Sequence, residues 1–257
     1  MSTTLPNAVT QEDIARGLRA IGLGDGDLVQ VHSSLKSFGH VEGGAEAVVD
    51  ALLEVVGVSG TVMMPTFNHG RAEVFDIRET PSTNGRITET LRRRPEAVRS
   101  MHPTHPYAAI GPAAEALMQG HLDVSTFGIE CPLGRLARRG GWVLILGAPL
   151  NTNTIAHVGE TLAGAPCLGY RQCRRRVKDE QGNVVDAWAD VWRDGSCPIE
   201  WDPLYERLRA RGMLRDGTIG EADVHLMRGN DVIEVTVELA KEFCPTCSIR
   251  PRKESAC

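Results

Sequence analysis

The 257-residue sequence lacks two features that would direct it into or across a membrane. No apolar stretch approaches the roughly 20 residues that a membrane-spanning helix needs. No basic start followed by an apolar run and a small-residue cleavage site occurs near the amino terminus. The chain also lacks an excess of positive charge, since its formal net charge is −5. We therefore expect a cytoplasmic protein without a membrane partner and, because phosphate contacts call for a basic surface, without a nucleic-acid partner.

A disulfide framework is not expected either, because the seven cysteines are an odd number in a chain without a secretion signal. Cys244 and Cys247 form a C-x-x-C pair near the carboxyl terminus, and Cys173 and Cys197 bracket a polar stretch. Four thiolates in this arrangement are predicted to hold a structural zinc ion. The alternative is four unrelated reduced thiols.

The order of apolar segments predicts an α/β fold. Strands over 28–31 and 61–65 flank a helix over 44–57, and a third apolar run, 142–146, leads into a loop and another helix. A βαβ order favours a mixed, largely parallel sheet flanked by helices, with functional loops at the carboxyl ends of the strands. The composition, 42% hydrophobic, is enough for one domain that spans 1–257.

A separate excursion is expected around 170–200. Apolar positions are sparse there and a turn signal stands at 181–183, so we predict an antiparallel hairpin subdomain over 170–202. The polar, basic segment 248–257 is expected to be a flexible tail.

His157 and Glu160 are the most informative candidates for chemistry. On a helix that starts near Thr154 they lie three residues apart on one face. A carboxylate beside an imidazole fixes its tautomer and stabilises the imidazolium, so His157 is a candidate general base for amine acylation. The alternative is an ordinary surface pair.

Three further segments carry candidate ligand contacts. The proline-rich loop 101–106 holds two histidines that either bind a ligand or are merely exposed. The segment 32–34 offers hydroxyls at a strand end, and the Gly43-Gly44 pair at a helix start could approach a pyrophosphate. Asp76 could hold a substrate ammonium group or act as a turn residue.

Seven ordered segments of the sequence resemble the aminoglycoside 3-N-acetyltransferase family: 31–39 (VHSSLKSFG), 41–57 (VEGGAEAVVDALLEVVG), 60–67 (GTVMMPTF), 75–82 (FDIRETPS), 99–112 (RSMHPTHPYAAIGP), 131–136 (CPLGRL) and 144–160 (LILGAPLNTNTIAHVGE).

The resemblance implies transfer of acetyl from acetyl-CoA to the 3-amino group of a 2-deoxystreptamine antibiotic. It implies His157 as catalytic base with Glu160 as its partner, and Asp76, Asn151 and Glu160 as substrate contacts. The implied CoA contacts are His32, Ser33, Ser34, Leu35, Ser37, Val41, Gly43, Gly44, Thr66, Pro103, Thr104 and His105. Two departures from the family pattern are Pro106, where a small residue such as serine is common, and the region 170–202, which shapes the antibiotic pocket.

Other functions remain open at this point. One is an acyl-CoA acyltransferase that acts on a different amine in biosynthesis. Another is a metal-dependent hydrolase built from His32, His102, His105, His157 and Glu160, although no H-E-x-x-H cluster is present. A third is a CoA or aminoglycoside sensor in which His157 is dispensable. Any of these could assemble as a homodimer.

Overall fold

The computed structural model of the chain describes residues 8–167, 172–190, 197, 199 and 202–248. The helices are α1 (Gln11–Ala20), α2 (Gly44–Val56), α3 (Arg86–Arg92), α4 (Ala114–Met118), α5 (Pro132–Arg138), α6 (Ala156–Leu162), α7 (Asp202–Ala210) and α8 (Gly229–Phe243). The strands are β1 (Leu28–Ser33), β2 (Thr61–Pro65), β3 (Val74–Asp76), β4 (Val98–Arg99), β5 (Tyr107–Ile110), β6 (Trp142–Leu146), β7 (Gln172–Lys178), β8 (Val184–Asp190), β9 (Leu214–Ile219) and β10 (Ala222–Arg228).

Helix α1 begins directly after Thr10, which caps it together with Asp13. The Thr10 hydroxyl accepts a hydrogen bond from the Asp13 N–H, and the Asp13 carboxylate accepts one from the Thr10 N–H. This reciprocal capping box satisfies two backbone donors that the first turn leaves without partners. Ile14 and Leu18 form the buried side of the helix.

The main sheet has seven strands in the order β4-β5-β2-β1-β6-β10-β9. Strand β1 is parallel to both β2 and β6, while the other four pairs are antiparallel. The predicted mixed α/β sheet is confirmed. Its parallel part is confined to the three central strands, because β5 and β10 each return beside their neighbour in the opposite direction. The register pairs His32 with Ile145 and Ser33 with Leu146, so β1 and β6 end together.

Helices cover both faces of the main sheet. One buried cluster joins α1, α2 and α3 to the sheet through Leu18, Leu52 and Leu91. The other joins α4 to α8 to the opposite face, with Val158 and Val235 among its members. Burial on both faces explains why β6 (WVLIL) is a continuous apolar run, whereas β1 (LVQVHS) also buries Gln30 and His32.

The predicted excursion is a second, three-stranded sheet in the order β3-β7-β8. Strands β7 and β8 form the expected antiparallel hairpin, and β3 adds to it in parallel. Arg99 joins this sheet to the main one, because its guanidinium donates to the carbonyls of Thr66 (2.8 Å) and Thr80 (2.6 Å) and lies over the Phe75 ring. Parts of the predicted 170–202 subdomain and the predicted tail beyond 248 lie outside the described residues.

None of the helices within the described ranges is both long and apolar enough to cross a membrane.

Candidate active site

The carboxyl ends of β1, β2 and β6 bring the candidate residues to one edge of the main sheet. His32 and Ser33 end β1, and β6 leads through a short 3-10 turn, Leu150–Thr152, into α6. Helix α6 begins at Ala156, two residues later than expected, since this turn precedes it. His157 therefore lies in the first turn of α6, beside the end of β1.

His157 and Glu160 form the predicted pair. His157 Nδ1 lies 2.9 Å from Glu160 Oε2. The side chain of Glu160 is 0% exposed, whereas that of His157 keeps 17%. A buried carboxylate on Nδ1 holds the proton there and leaves Nε2 as the basic nitrogen. Full burial favours Glu160 as a partner of His157 over a direct contact to substrate.

Phe127 packs against His157, and sequence reasoning missed it. The ring centroids of Phe127 and His157 are 4.8 Å apart, and Phe127 also lies 5.1 Å from the His105 ring. Phe127 is buried. Because these three residues are distant in the chain and Phe127 stands in no recognisable motif, no local signal could have identified it.

His32 is buried beneath the site in a polar cluster. Its Nε2 lies 2.6 Å from Gln30 Nε2 and 3.4 Å from both the backbone nitrogen and the hydroxyl of Thr154. Burial, and secondly the charge of His157, lower the pKa of His32 to about 3. The ring is therefore neutral, and it connects β1 to the loop that precedes α6.

Helix α2 starts at the glycine pair as expected. Gly43 and Gly44 have φ of +76° and +59°, and no side chain caps the helix. A Cβ built on Gly44 meets no atom within 4 Å. The Gly44 N–H donates to the Val41 carbonyl (3.1 Å), and no side chain caps the N–H groups that follow it. Uncapped N–H groups at a helix start suit an anionic group.

Ser33 supplies a second open polar group at this edge. Its hydroxyl is buried and has no hydrogen-bond partner among the described residues. A buried hydroxyl without a partner costs free energy, so a ligand group that bonds it is favoured. Together with the glycine pair, it fits the carrier that the sequence implied.

The other predicted contacts on this segment have internal roles. The Ser37 hydroxyl donates to the Gly147 carbonyl (2.6 Å) and lies 3.0 Å from the Ser34 hydroxyl. Leu35 and Val41 pack against the hydrophobic core. These contacts fix the segment against the loop that follows β6.

The proline-rich loop wraps around a buried histidine. His102 Nδ1 accepts hydrogen bonds from the N–H groups of Thr104 (3.3 Å) and His105 (3.0 Å). The His102 ring is 1% exposed, so the interpretation of these histidines as exposed is wrong for His102. The Pro103 carbonyl accepts from the Asn68 amide (3.0 Å), which ties the loop to the segment after β2. Of this loop, His105 lies nearest to the site, through its contact with Phe127.

The contacts of Thr66 and Asp76 are structural. The buried Thr66 hydroxyl donates to the Pro106 carbonyl (3.0 Å) and accepts from Arg99 Nε (3.1 Å). Asp76 pairs with Lys178 Nζ (2.9 Å) and accepts two backbone N–H bonds from its own turn. Both groups therefore have hydrogen-bond partners within the protein. Asn151 lies partly exposed on the 3-10 turn before α6.

The predicted zinc site is wrong in its ligand set. Cys173 is in a disulfide, so it cannot supply a thiolate, and the alternative of four reduced thiols is wrong for Cys173 as well. Throughout the ranges that the structure describes, no group of three or more His, Cys, Asp or Glu side chains is arranged to hold a metal ion. Cys197, Cys244 and Cys247 instead line a cavity of about 400 Å³ together with Cys167.

His157 and the buried Glu160 form an imidazole–carboxylate pair in the first turn of α6, and α2 begins with uncapped N–H groups. An imidazole oriented by a buried carboxylate is suited to proton transfer, and uncapped N–H groups at a helix start suit a phosphate-bearing carrier. The arrangement is typical of an enzyme that transfers an acyl group from such a carrier.

Comparison with known proteins identifies the family. The sequence model of the aminoglycoside 3-N-acetyltransferase family matches residues 30–241. The aminoglycoside N(3)-acetyltransferase VII of Streptomyces paromomycinus is 38% identical, over 91% of this chain and 92% of that protein. The chain belongs to the aminoglycoside 3-N-acetyltransferase family, and the resemblance seen in the sequence is confirmed.

Two solved structures share the whole fold. AAC-IIIb, determined as a binary complex with CoASH, superposes with a TM-score of 0.82 at 26% identity, over 93% of this chain and 98% of that one. The aminoglycoside acetyltransferase AAC(3)-IVa in complex with gentamicin has a TM-score of 0.83 at 25% identity, over 94% and 92%.

Proposed function

We propose that the protein transfers the acetyl group of acetyl-CoA to the 3-amino group of a 2-deoxystreptamine aminoglycoside, with His157 as the general base. The single observation that carries the mechanism is the 2.9 Å contact between His157 Nδ1 and the buried Glu160 carboxylate. The choice of substrates rests on the family and on the CoASH and gentamicin complexes of its structural relatives.

His157 first removes a proton from the substrate. An alkyl ammonium group cannot attack a thioester until it is deprotonated, and a positioned base accelerates this step by roughly 10²- to 10⁴-fold. Glu160 holds the Nδ1 proton, so Nε2 accepts the proton of the ammonium group. The buried negative charge of Glu160 then stabilises the imidazolium.

The second half of the reaction returns a proton. Acetyl-CoA supplies the acetyl carbon on a thioester; the new C–N bond forms as the C–S bond breaks. The His157 imidazolium gives its proton to the departing sulfur, and the second ammonium proton leaves to solvent. Phe127 covers one side of the imidazole and limits the access of water to it.

The carrier is proposed to lie along the end of β1 and the start of α2. The N–H groups after Gly44 would hold phosphate oxygens, and the Ser33 hydroxyl would bond a polar group of the pantetheine arm. His105 would border the arm from the proline loop. Asn151, on the partly exposed turn before α6, is the proposed contact to the amine.

One observation favours a second candidate, an acyl transfer to an amine that also carries an anionic group. A cleft of about 620 Å³ beside the proline loop is lined by Arg71, Arg174, Arg175 and Arg176, against two acidic residues. A purely cationic substrate is disfavoured in such a cleft, whereas a phosphate or carboxylate is favoured.

Release of free CoA thiol tests these candidates. The protein is mixed with acetyl-CoA and with aminoglycosides that carry a free or a chemically blocked 3-amino group, together with a phosphorylated aminoglycoside that retains the amine. We expect thiol release only with free-amine compounds, and acetylation at the 3-position by mass spectrometry. Faster turnover of the phosphorylated compound would favour the second candidate. If no compound in the panel causes thiol release although the protein binds acetyl-CoA, both candidate functions are overturned.

A further inference from the structure

The four-residue turn after β2, residues 68–71, places His69 in a backbone conformation that glycine or asparagine adopts more readily. The Arg71 N–H donates to the Asn68 carbonyl (3.1 Å), and the two central residues, His69 and Gly70, have φ of +53° and +70°. Two positive φ values define a type I′ turn, in which Asn or Gly is preferred at the first central position. Within the described part of the chain, His69 is the one residue other than glycine that has a positive φ, a conformation that L side chains rarely adopt.

The turn is fixed to the proline loop. The N–H groups of Asn68 (3.3 Å) and His69 (3.1 Å) both donate to the Thr104 carbonyl, and the Asn68 amide donates to the Pro103 carbonyl (3.0 Å). These three bonds are made by the backbone and by Asn68. The imidazole of His69 contributes to none of them, and it packs edge-on against the Phe67 ring with the centroids 5.6 Å apart.

The His69 ring is the outer end of a row of rings that leads to the base. It lies 5.6 Å from the His105 ring; His105 lies 5.1 Å from Phe127, and Phe127 lies 4.8 Å from His157. His69 is exposed, whereas Phe127 is buried. His69 is therefore the exposed end of this row, three ring contacts from His157.

The surroundings of His69 determine which group it can bind. Burial of part of the ring, and secondly the positive charge of Arg71, lower the pKa of His69. A neutral imidazole offers one nitrogen as a hydrogen-bond acceptor. Arg71 disfavours a second cation at this point, so a hydroxyl group is the better partner than an ammonium group.

We propose that His69 is a substrate-binding residue, which accepts a hydrogen bond from a hydroxyl group on a ring of the aminoglycoside remote from the acetylated amine. The inference rests on the proposed function for the identity of the substrate. A substrate of several rings spans the three ring contacts between His69 and His157.

Calorimetric titration tests the contact without requiring turnover. A pseudotrisaccharide aminoglycoside and acetyl-CoA are each titrated into the wild-type protein, His69→Asn and His69→Gly, with His225→Asn on the distant β10 as a matched loss of an imidazole. Asn and Gly both suit positive φ, so thermal unfolding should occur at the wild-type temperature or above. Loss of one hydrogen bond should weaken aminoglycoside binding about fivefold to tenfold in both His69 variants, with acetyl-CoA binding unchanged.

The other outcomes contradict the His69 contact, the proposed reaction, or both. Equal aminoglycoside dissociation constants in the wild type and both variants overturn the contact. Weaker binding accompanied by a lower unfolding temperature in both variants assigns His69 a structural role instead, and weaker acetyl-CoA binding assigns it to the other substrate. If the wild type binds the aminoglycoside but releases no thiol, the proposed reaction fails while the His69 contact stands. No binding by the wild type overturns both.

Discussion

The Nδ1 atom of His157 lies 2.9 Å from Oε2 of a Glu160 side chain that is entirely buried. Water therefore reaches only the His157 side of this pair, because the Glu160 carboxylate is inaccessible to it. Burial of a carboxylate is costly unless it is paired, so the contact with Glu160 determines the orientation of the His157 ring.

Replacement of Glu160 by glutamine should reduce kcat by about 10²- to 10⁴-fold, because the amide keeps the shape but neither fixes the tautomer nor stabilises the imidazolium. Steady-state thiol release measures the effect. Glu130→Gln removes a carboxylate that is 59% exposed and serves as the matched control, with kcat expected to stay near wild type. A Glu160→Gln enzyme of normal kcat would show that the carboxylate has only a structural role.

Gly147→Ala should destabilise the junction between β6 and the segment that contains Ser37. Gly147 has φ of +70°, and a Cβ there would lie 2.7 Å from the Ser37 Cβ. We expect a loss of about 3 kcal/mol in the free energy of unfolding. Gly164→Ala, at φ of +65° with no atom within 4 Å, should cost only the backbone contribution of about 1 kcal/mol. Equal losses in chemical denaturation would contradict the close approach.

Gly44→Ala tests the proposed position of the carrier. Its φ of +59° and empty surroundings match those of Gly164, so the two alanine variants should lose similar stability. Only the Gly44 variant should have a raised KM for acetyl-CoA, by about tenfold, because the methyl group occupies the space in front of the α2 N–H groups. An unchanged KM would place the phosphates elsewhere.

Stability should fall in mild acid because of buried neutral histidines. Burial, before any other cause, lowers the pKa of both His32 and His121 to about 3 from the usual 6.5. Between about pH 6.5 and pH 3 the unfolded chain then binds more protons than the folded one, so the free energy of unfolding decreases as the pH falls through this range. At pH 5 each histidine should account for a loss of about 2 kcal/mol.

Urea denaturation between pH 8 and pH 5 measures this dependence. The curve should be flat above pH 7 and decline below about pH 6.5. His121→Gln should lessen the slope, since one titrating group is removed. A free energy of unfolding that stays constant down to pH 5 would contradict neutral burial.

The sequence predicted those parts of the molecule that depend on local order. The capped α1, the β1-α2-β2 unit and the i,i+3 pair of His157 and Glu160 follow from residues close in the chain, and the structure has all of them. Their signals are caps, glycine punctuation and apolar periodicity, which act over a few residues.

The remainder depends on long-range partners. The hydroxyl of Thr66 is engaged by Arg99, and the carboxylate of Asp76 by Lys178 on another strand, so neither could be recognised as structural from its neighbours. Strand β10 pairs with β6 in the antiparallel direction. The sequence of β6 does not indicate this direction, because a strand that is buried on both faces is apolar throughout whichever way its neighbour runs. The same reasoning explains why Phe127 was missed and why the zinc ligands were wrongly grouped.

The most direct test of the account is the acetyl-transfer rate of His157→Asn at saturating acetyl-CoA and aminoglycoside. Binding of both substrates is measured by calorimetry on the same preparation. The account predicts dissociation constants close to wild type and a kcat reduced by about 10²- to 10⁴-fold. Wild-type turnover by this variant, with binding intact, would show that His157 is not the base.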